Sequence, residues 1–115
     1  MLKNIVAVIA SEKVGMVVDA LKKAGVGGFT VLDAKGRGKG KRSQLAGSRG
    51  TGSYTAEFNT KNYVFTVVDD SIVDKVISAI IDAAGTGSVG DGKIFVTTVD
   101  DAIDIGSKQK GIHAI

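Results

Sequence analysis

The chain has 115 residues, a formal net charge of +3, no cysteine and 43% hydrophobic residues. This length allows one domain with a single core, and the absence of cysteine excludes disulfides and thiol chemistry. The apolar run at the N-terminus is too short to cross a membrane and lacks a signal-peptide cleavage pattern, so we expect a cytoplasmic protein without membrane insertion.

The first third of the chain predicts a strand, a helix and a second strand. Residues 2–9 are nearly all apolar, as expected for a strand that is buried on both faces. Ser11 is a candidate N-cap for the helix, whose apolar residues recur at helical spacing until Gly25 supplies a C-terminal stop. Residues 29–34 form the second predicted strand.

A glycine-rich basic segment follows, from residue 36 to about residue 53. Six of the 15 Lys and Arg residues lie between Lys35 and Arg49, where there is no Asp or Glu, and 9 basic and 12 acidic residues remain elsewhere. The excess of positive charge therefore belongs to this segment alone. Because it is rich in glycine and poor in apolar anchors, we expect it to be mobile without a ligand or partner.

The second half of the chain repeats the order of the first. Residues 62–68 predict a third strand, rich in β-branched and aromatic side chains. Capping residues between Asp69 and Asp74 precede a second helix, which Gly85 ends. Residues 93–99 predict the last strand before a polar tail. The apolar stripe predicted for the second helix consists of Val73, Val76, Ile77, Ile80, Ile81 and Ala84.

This order of elements predicts an α+β fold of the ferredoxin-like βαβ-βαβ type. It would be a single domain over residues 1–115, with an antiparallel four-stranded sheet and both helices on one face. Because the strands are apolar on both sides, the other face of the sheet also needs a cover. We expect other copies of the same chain to supply that cover.

The run GTGSVGDGKIF, after the second predicted helix, contains two overlapping phosphate-binding patterns that both lack the required context. The dinucleotide pattern G-x-G-x-x-G needs glycines that open a helix, whereas these follow one, and the Walker A match lacks Ser or Thr after Lys93. The shorter turn Gly90-Asp91-Gly92 can expose backbone N–H groups as an anion-binding nest, to which Lys93 adds a charge. A plain helix-to-strand connection explains the same residues.

Several stretches of the chain resemble the PII signal-transduction family. The pattern T-x-x-x-G-D-G-K-I-F-V, at residues 86–96, resembles the C-terminal signature of that family. The other matching stretches are 27–31, 35–38, 54–58, 67–70 and 114–115. The resemblance implies a cytoplasmic homotrimer that binds ATP or ADP between subunits and regulates a transporter or enzyme through a long, flexible T-loop, here residues 36–58.

The resemblance also implies a set of binding residues. Those implied for the phosphates are Gly36, Gly38, Lys39, Gly90, Asp91, Gly92 and Lys93. Those implied for the adenine are Thr30, through a hydrogen bond, and main-chain groups near Phe65 and Val67. Tyr54 matches the modifiable tyrosine of the family, but the residues before it differ from the usual motif, and an unmodified loop tyrosine fits as well.

Three positions depart from the family pattern. Gly40 replaces a glutamine on which the family's response to Mg²⁺ and 2-oxoglutarate relies, and glycine has no side-chain oxygen for a metal. Asp104 and Gly106 replace two arginines that reach a neighbouring subunit's phosphates, and an aspartate there would repel a triphosphate. Lys108 and Lys110 could supply the missing charge. These departures predict a preference for ADP or AMP over ATP, without Mg-ATP-dependent binding of 2-oxoglutarate.

Two other kinds of function and one variant of this function compete with that prediction. The RG-rich segment is compatible with nucleic-acid binding, but no aromatic residues interleave its arginines, so we expect none. An enzyme is not indicated, because His113 lies in the tail without a carboxylate pair or nucleophile nearby, and no acidic set has metal-ligand spacing. Within the family, a regulator outside nitrogen control, sensing another small anion such as bicarbonate, remains an alternative.

Overall fold

A computed structural model of the chain describes residues 1–37, 44–46, 53–55 and 58–115. In chain order, the strands and helices are β1 (Leu2–Ala10), α1 (Val14–Ala24), β2 (Thr30–Gly36), β3 (Gln44–Ala46), β4 (Ser53–Thr55), β5 (Asn59–Asp69), α2 (Val73–Ala84) and β6 (Gly92–Val99). Short 3-10 turns precede both helices, and a third covers Gly111–Ala114. None of the helices in these described ranges is long and apolar enough to cross a bilayer.

The main sheet has four strands in the order β2-β5-β1-β6, and every neighbouring pair is antiparallel. With a helix after β1 and another after β5, this topology confirms the predicted ferredoxin-like fold. Val6 lies opposite Phe65 on one side and Phe95 on the other, while Thr30 lies opposite Phe65. Directly opposite residues share a face, so these four form one row across the sheet.

The core lies between the sheet and the two helices. Ile5, Ala7 and Ile9 alternate along β1 and contribute to it, as expected for a strand whose successive side chains point to opposite faces. The helices and β5 supply most of the remaining buried residues, which are Val17, Leu21, Ala24, Val64, Val68, Val76, Ile80 and Ala84. Two polar residues of β5 are buried as well: the Thr66 hydroxyl donates to the carbonyl of Gly28, and the Asn62 amide donates to the Asp33 carboxylate at 2.9 Å.

The helix ends confirm the two predicted C-terminal stops and correct the predicted N-caps. The N–H of Gly25 donates to carbonyls of the last turn of α1, and the N–H of Gly85 donates to the carbonyl of Ile81 at the end of α2. The Asp69 carboxylate accepts from the N–H of Ser71 at 3.1 Å, but it caps the 3-10 turn before α2, whose own N-cap, Ile72, makes no side-chain bond. Ser11, however, is not the N-cap of α1. It begins the preceding 3-10 turn, the N-cap is Lys13, and the buried Ser11 hydroxyl has no hydrogen-bond partner among the residues that the structure describes.

The apolar stripe of α2 is narrower than predicted. Val76, Ile80 and Ala84 are buried, as expected for residues four apart on one face of a helix. Ile81 is 55% exposed, because it lies one residue beyond this row and points away from the sheet. The prediction that Ile81 belongs to the core stripe was therefore wrong.

Within residues 36–58, which were predicted as one loop, the structure describes two short strands. β3 and β4 pair in an antiparallel register that sets Leu45 opposite Tyr54. The predicted site residues Gly38 and Lys39 lie outside the described residues, as does Gly40. The structure thus adds a hairpin to the segment and locates Tyr54 on its second strand.

The C-terminal tail, which was predicted only as a polar segment, forms an ordered turn. Ile103 pairs with Lys110 as an isolated bridge, and the N–H of Gly111 donates to the carbonyl of Ala102 at 2.9 Å. Asp104 organises the turn from inside: its carboxylate accepts from the N–H and the hydroxyl of Ser107, both at 2.8 Å.

The second face of the sheet carries no helix, and we call it the helix-free face. Its apolar and aromatic members are Val6, Val8, Leu32, Tyr63, Phe65, Val67 and Phe95. Tyr63 and Phe65 contact each other edge to face, with ring centroids 6.2 Å apart. Phe95 is 52% exposed and Leu32 is also exposed. Exposed apolar and aromatic side chains grouped on one face are typical of a surface that packs against another protein surface.

Candidate functional site

The candidate site centres on the connection from α2 to β6, residues 85–92, which we call the glycine loop. Gly92 joins it to β6 with φ +124, and a Cβ at this position would overlap the carbonyl oxygen of Val8 and lie 3.1 Å from its carbonyl carbon. Only glycine combines that backbone conformation with such a close approach to a neighbouring strand. The loop is therefore attached to the sheet at a fixed point.

The Asp91 carboxylate lies at the centre of the loop and binds the loop's own backbone. It accepts from the N–H groups of Thr86, Gly87 and Ser88 at 2.6, 3.0 and 3.3 Å. The Thr86 hydroxyl donates to the other carboxylate oxygen at 2.5 Å. Hydrogen bonds to the charged form stabilise it, and those from Thr86 in particular lower the pKa of Asp91 to about 2.

Three donors of the loop region have no partner among the residues that the structure describes. Within the described residues, the N–H groups of Val89 and Gly90 make no hydrogen bond, and Val89 is 72% exposed. The Lys93 side chain is exposed as well and has no ion-pair partner in the same part of the chain. Adjacent backbone N–H groups beside a lysine are suited to an anion such as a phosphate.

Lys61 links the glycine loop to the end of β2, and the sequence prediction missed it. Its ammonium donates to the carbonyl of Gly90 at 3.0 Å. Its stem passes Gly36, where a Cβ would lie 3.3 Å from the Lys61 Cγ. The structure thus brings Gly36 and Gly90, both predicted phosphate residues, to opposite sides of one side chain. The only signal in the sequence was a lysine immediately before the predicted third strand.

The predicted adenine residues lie elsewhere on the sheet. Thr30 begins β2 and faces Phe65 across the strand pair, while Val67 lies two residues farther along β5. β2 and β6 are the two edges of the sheet, so β5 and β1 separate Thr30 from Lys93 by about 14 Å at the usual spacing of strands. Among the described residues, one copy of the chain does not bring Thr30 and Lys93 together.

The turn that contains Asp104 and Gly106 makes contacts of its own. The backbone N–H of Ser107, and to a smaller extent its hydroxyl, donate to the Asp104 carboxylate and lower its pKa. Lys108 follows in a left-handed backbone conformation, with φ 64, and its side chain and that of Lys110 are exposed. The described ranges contain no group of three or more His, Cys, Asp or Glu side chains placed to hold a metal ion.

The hydrogen bonds of Asp91 predict an acid-sensitive glycine loop. Because the pKa is lowered from the ordinary 3.8 to about 2 in the folded protein, the contribution of this carboxylate to stability is complete above pH 3.8 and is lost as the pH falls toward 2. Carbon-13 NMR of the Asp91 carboxyl group checks this; titration near pH 3.8 would contradict it.

Comparison with known proteins gives consistent results over the whole chain. Residues 2–109 match the family model described as Nitrogen regulatory protein P-II. The chain is 40% identical over 116 residues to "Nitrogen regulatory protein P-II" of Azospirillum brasilense, an alignment that covers 99% of this chain and 100% of the relative. The corresponding protein of Nostoc punctiforme is 41% identical with the same coverage. "Nitrogen regulatory protein P-II 2" of Methanothermobacter thermautotrophicus is 37% identical over 99% of this chain and 97% of the relative.

Proposed function

The chain belongs to the nitrogen regulatory protein P-II family, and from this premise we propose that it is a homotrimeric adenine-nucleotide sensor that regulates a transporter or enzyme through residues 36–58. Members of the family are signalling regulators and not enzymes, and the family in general binds adenine nucleotides. The proposals that this chain binds a nucleotide, forms a trimer and transmits a signal rest on its own residues.

The observation that carries the nucleotide proposal is the open side of the glycine loop. The N–H groups of Val89 and Gly90 make no hydrogen bond in the described structure, and the exposed Lys93 follows them as the second residue of β6. Backbone donors and a lysine together favour the phosphates of a nucleotide over a neutral ligand. Thr30 and the backbone near Phe65 and Val67 would hold the adenine.

The homotrimer is supported by two features. The helix-free face exposes aromatic side chains, Phe95 among them, that a lone subunit would leave in water. Thr30 and Lys93 lie on opposite edges of the sheet, so a nucleotide that uses both needs the adenine half of one subunit beside the phosphate half of another. Both features are satisfied when subunits surround a common axis with their helix-free faces inward.

Transmission to the regulated partner would run through Lys61. Residues 36–58 leave the sheet at Gly36, and the Lys61 side chain connects that point to the carbonyl of Gly90. A phosphate that settles against Gly90 changes the surroundings of this carbonyl, and hence the contact made by Lys61. The basic residues of the segment would then provide the docking surface for a cytoplasmic enzyme or for the cytoplasmic side of a transporter.

The effector is where this chain departs from its relatives. Gly40 offers no side-chain oxygen to Mg²⁺, and Asp104 uses its carboxylate on Ser107 instead of on a ligand. We therefore propose that ADP or AMP is preferred over ATP and that 2-oxoglutarate is not bound with Mg-ATP. The same departures favour the second candidate function, a regulator outside nitrogen control that senses another small anion such as bicarbonate.

Calorimetry with ATP, ADP and AMP is expected to give the tightest binding with ADP or AMP.

Replacing Lys93 by Gln is expected to weaken that binding by about 1–3 kcal/mol, the scale of a charge-assisted hydrogen bond. Lys75→Gln, an exposed lysine on α2, serves as the matched control and should bind like the wild type. A clear preference for ATP would contradict the proposed selectivity, and equal affinities of the two variants would contradict the site.

The identity of the regulated partner can be tested by capture from cell extract with and without ADP. Recovery of an ammonium transporter in a nucleotide-dependent way would support nitrogen control. Recovery of another transporter or of a carbon-fixation component would support the second candidate. Mass spectrometry of the protein recovered from cells shows whether Tyr54 carries a nucleotidyl group.

A further inference from the structure

The backbone N–H groups of the glycine loop fall into two sets. Those of Thr86, Gly87 and Ser88 all donate to the Asp91 carboxylate. Those of Val89 and Gly90 donate to no described residue. The division follows from one side chain that folds back over the first half of the loop and leaves the second half open.

We propose that Asp91 is a positioning residue, which holds the glycine loop in its binding shape as an internal anion and does not contact the nucleotide. This inference rests on the proposed nucleotide site and assigns its phosphate contacts to the N–H groups of Val89 and Gly90 and to Lys93. Asp91, although part of the glycine-rich signature, acts only through the backbone it organises.

The geometry supports a positioning role over direct contact. A carboxylate turned toward a phosphate would repel it, but the Asp91 oxygens already accept three backbone N–H groups and the Thr86 hydroxyl. The Ser88 hydroxyl lies within 3.4 Å of the carboxylate too. An anion that is fully solvated by the loop itself leaves no donor on that side for a ligand, so a phosphate must approach from the side of Val89 and Gly90.

Lys61 completes the support from the other side of the loop. Its ammonium holds the Gly90 carbonyl at 3.0 Å, which orients the peptide group that follows Gly90. The loop is thus held at two points: Asp91 binds the N–H groups of residues 86–88, and Lys61 binds the carbonyl of Gly90. The N–H groups of Val89 and Gly90 lie between these two points along the loop. A loop held in this way requires little reordering when a phosphate binds.

The test compares Asp91→Asn and Asp91→Ala with the wild-type protein by amide hydrogen exchange and by nucleotide calorimetry. Without nucleotide, we expect exchange at residues 86–88 to accelerate more than tenfold in the alanine variant and less in the asparagine variant, which keeps one acceptor oxygen. We expect the dissociation constant for ADP to rise about tenfold, and saturating ADP to slow the exchange again. Thr86→Val, which removes only the hydroxyl, should produce a smaller effect of the same kind.

Asp69→Asn is the matched control, because the Asp69 carboxylate likewise accepts a backbone N–H, that of Ser71, within its own turn. It should accelerate exchange at Ser71 without changing the affinity for ADP. Two results would overturn the positioning role: weaker binding in Asp91→Asn with unchanged exchange at residues 86–88, which means direct contact, or faster exchange with unchanged affinity. A wild-type protein that binds none of the three nucleotides would overturn the proposed site itself, and this inference with it.

Discussion

Replacing Gly92 by alanine is expected to destabilise the protein by about 3–5 kcal/mol, in the range of the most damaging single substitutions. The new Cβ would overlap the Val8 carbonyl oxygen and lie 3.2 Å from the Ile9 Cα, and both neighbours are backbone atoms of the central strand β1. The φ of +124 at this position adds strain that an alanine cannot relieve without moving the strand. Chemical denaturation with a fit of the unfolding free energy measures the loss.

Gly87→Ala separates the clash from the strain. Gly87 also has a positive φ, of +85, but a Cβ there would meet no atom within 4 Å. We expect this control to lose only about 1–2 kcal/mol, the cost of a left-handed conformation for a residue with a Cβ. If Gly92→Ala lost no more stability than Gly87→Ala, the attachment of the glycine loop to β1 would not be the rigid point described above. Nucleotide binding should weaken in Gly92→Ala even where the protein remains folded.

Replacing Phe95 by aspartate is expected to convert the proposed trimer to monomers at micromolar concentrations. Phe95 lies on the helix-free face beside Val6 and is 52% exposed in the single chain. In a trimer with these faces inward, the new carboxylate would be surrounded by apolar side chains without a partner charge. We expect the dissociation constant of the assembly to rise at least about a hundredfold, which corresponds to ~3 kcal/mol.

Ile81→Asp is the control for this effect, because Ile81 is 55% exposed on the outer surface of α2. Both substitutions remove a large, equally exposed apolar side chain, and only one of them lies on the face that we assign to assembly. Sedimentation velocity of the two variants and the wild type distinguishes the cases. A trimeric Phe95→Asp protein, or a monomeric Ile81→Asp protein, would place the subunit contact on a different surface.

The fold was predictable from the sequence because its determinants are local and repeated. Apolar runs, helical spacing and the glycines at 25 and 85 each mark an element or its end, and the second half of the chain repeats the first. The prediction for Ser11 was wrong because Ser11 begins a 3-10 turn that precedes α1. A 3-10 turn differs from an α-helix in pairing residues three apart instead of four, and composition does not encode that difference.

The candidate site was predictable only in part, for a related reason. The residues of the glycine loop are contiguous, so their presence in one place needed no structure. The division of the N–H groups by Asp91 depends on how a side chain folds back, and the contact between Lys61 and Gly90 joins residues 29 positions apart. The ordered C-terminal turn escaped prediction because Asp104 closes it through a local side-chain bond in a stretch whose composition is typical of loops.

The exposed position of Val89 has a practical consequence. The side chain is 72% exposed, and its own backbone N–H is one of the two proposed phosphate donors. Since the chain contains no cysteine, a cysteine introduced at Val89 would be the only thiol, and a dye attached to it would sit a few bonds from an arriving nucleotide without disturbing the core. A nucleotide that binds at the proposed site would then be reported as a change in the fluorescence of that single dye.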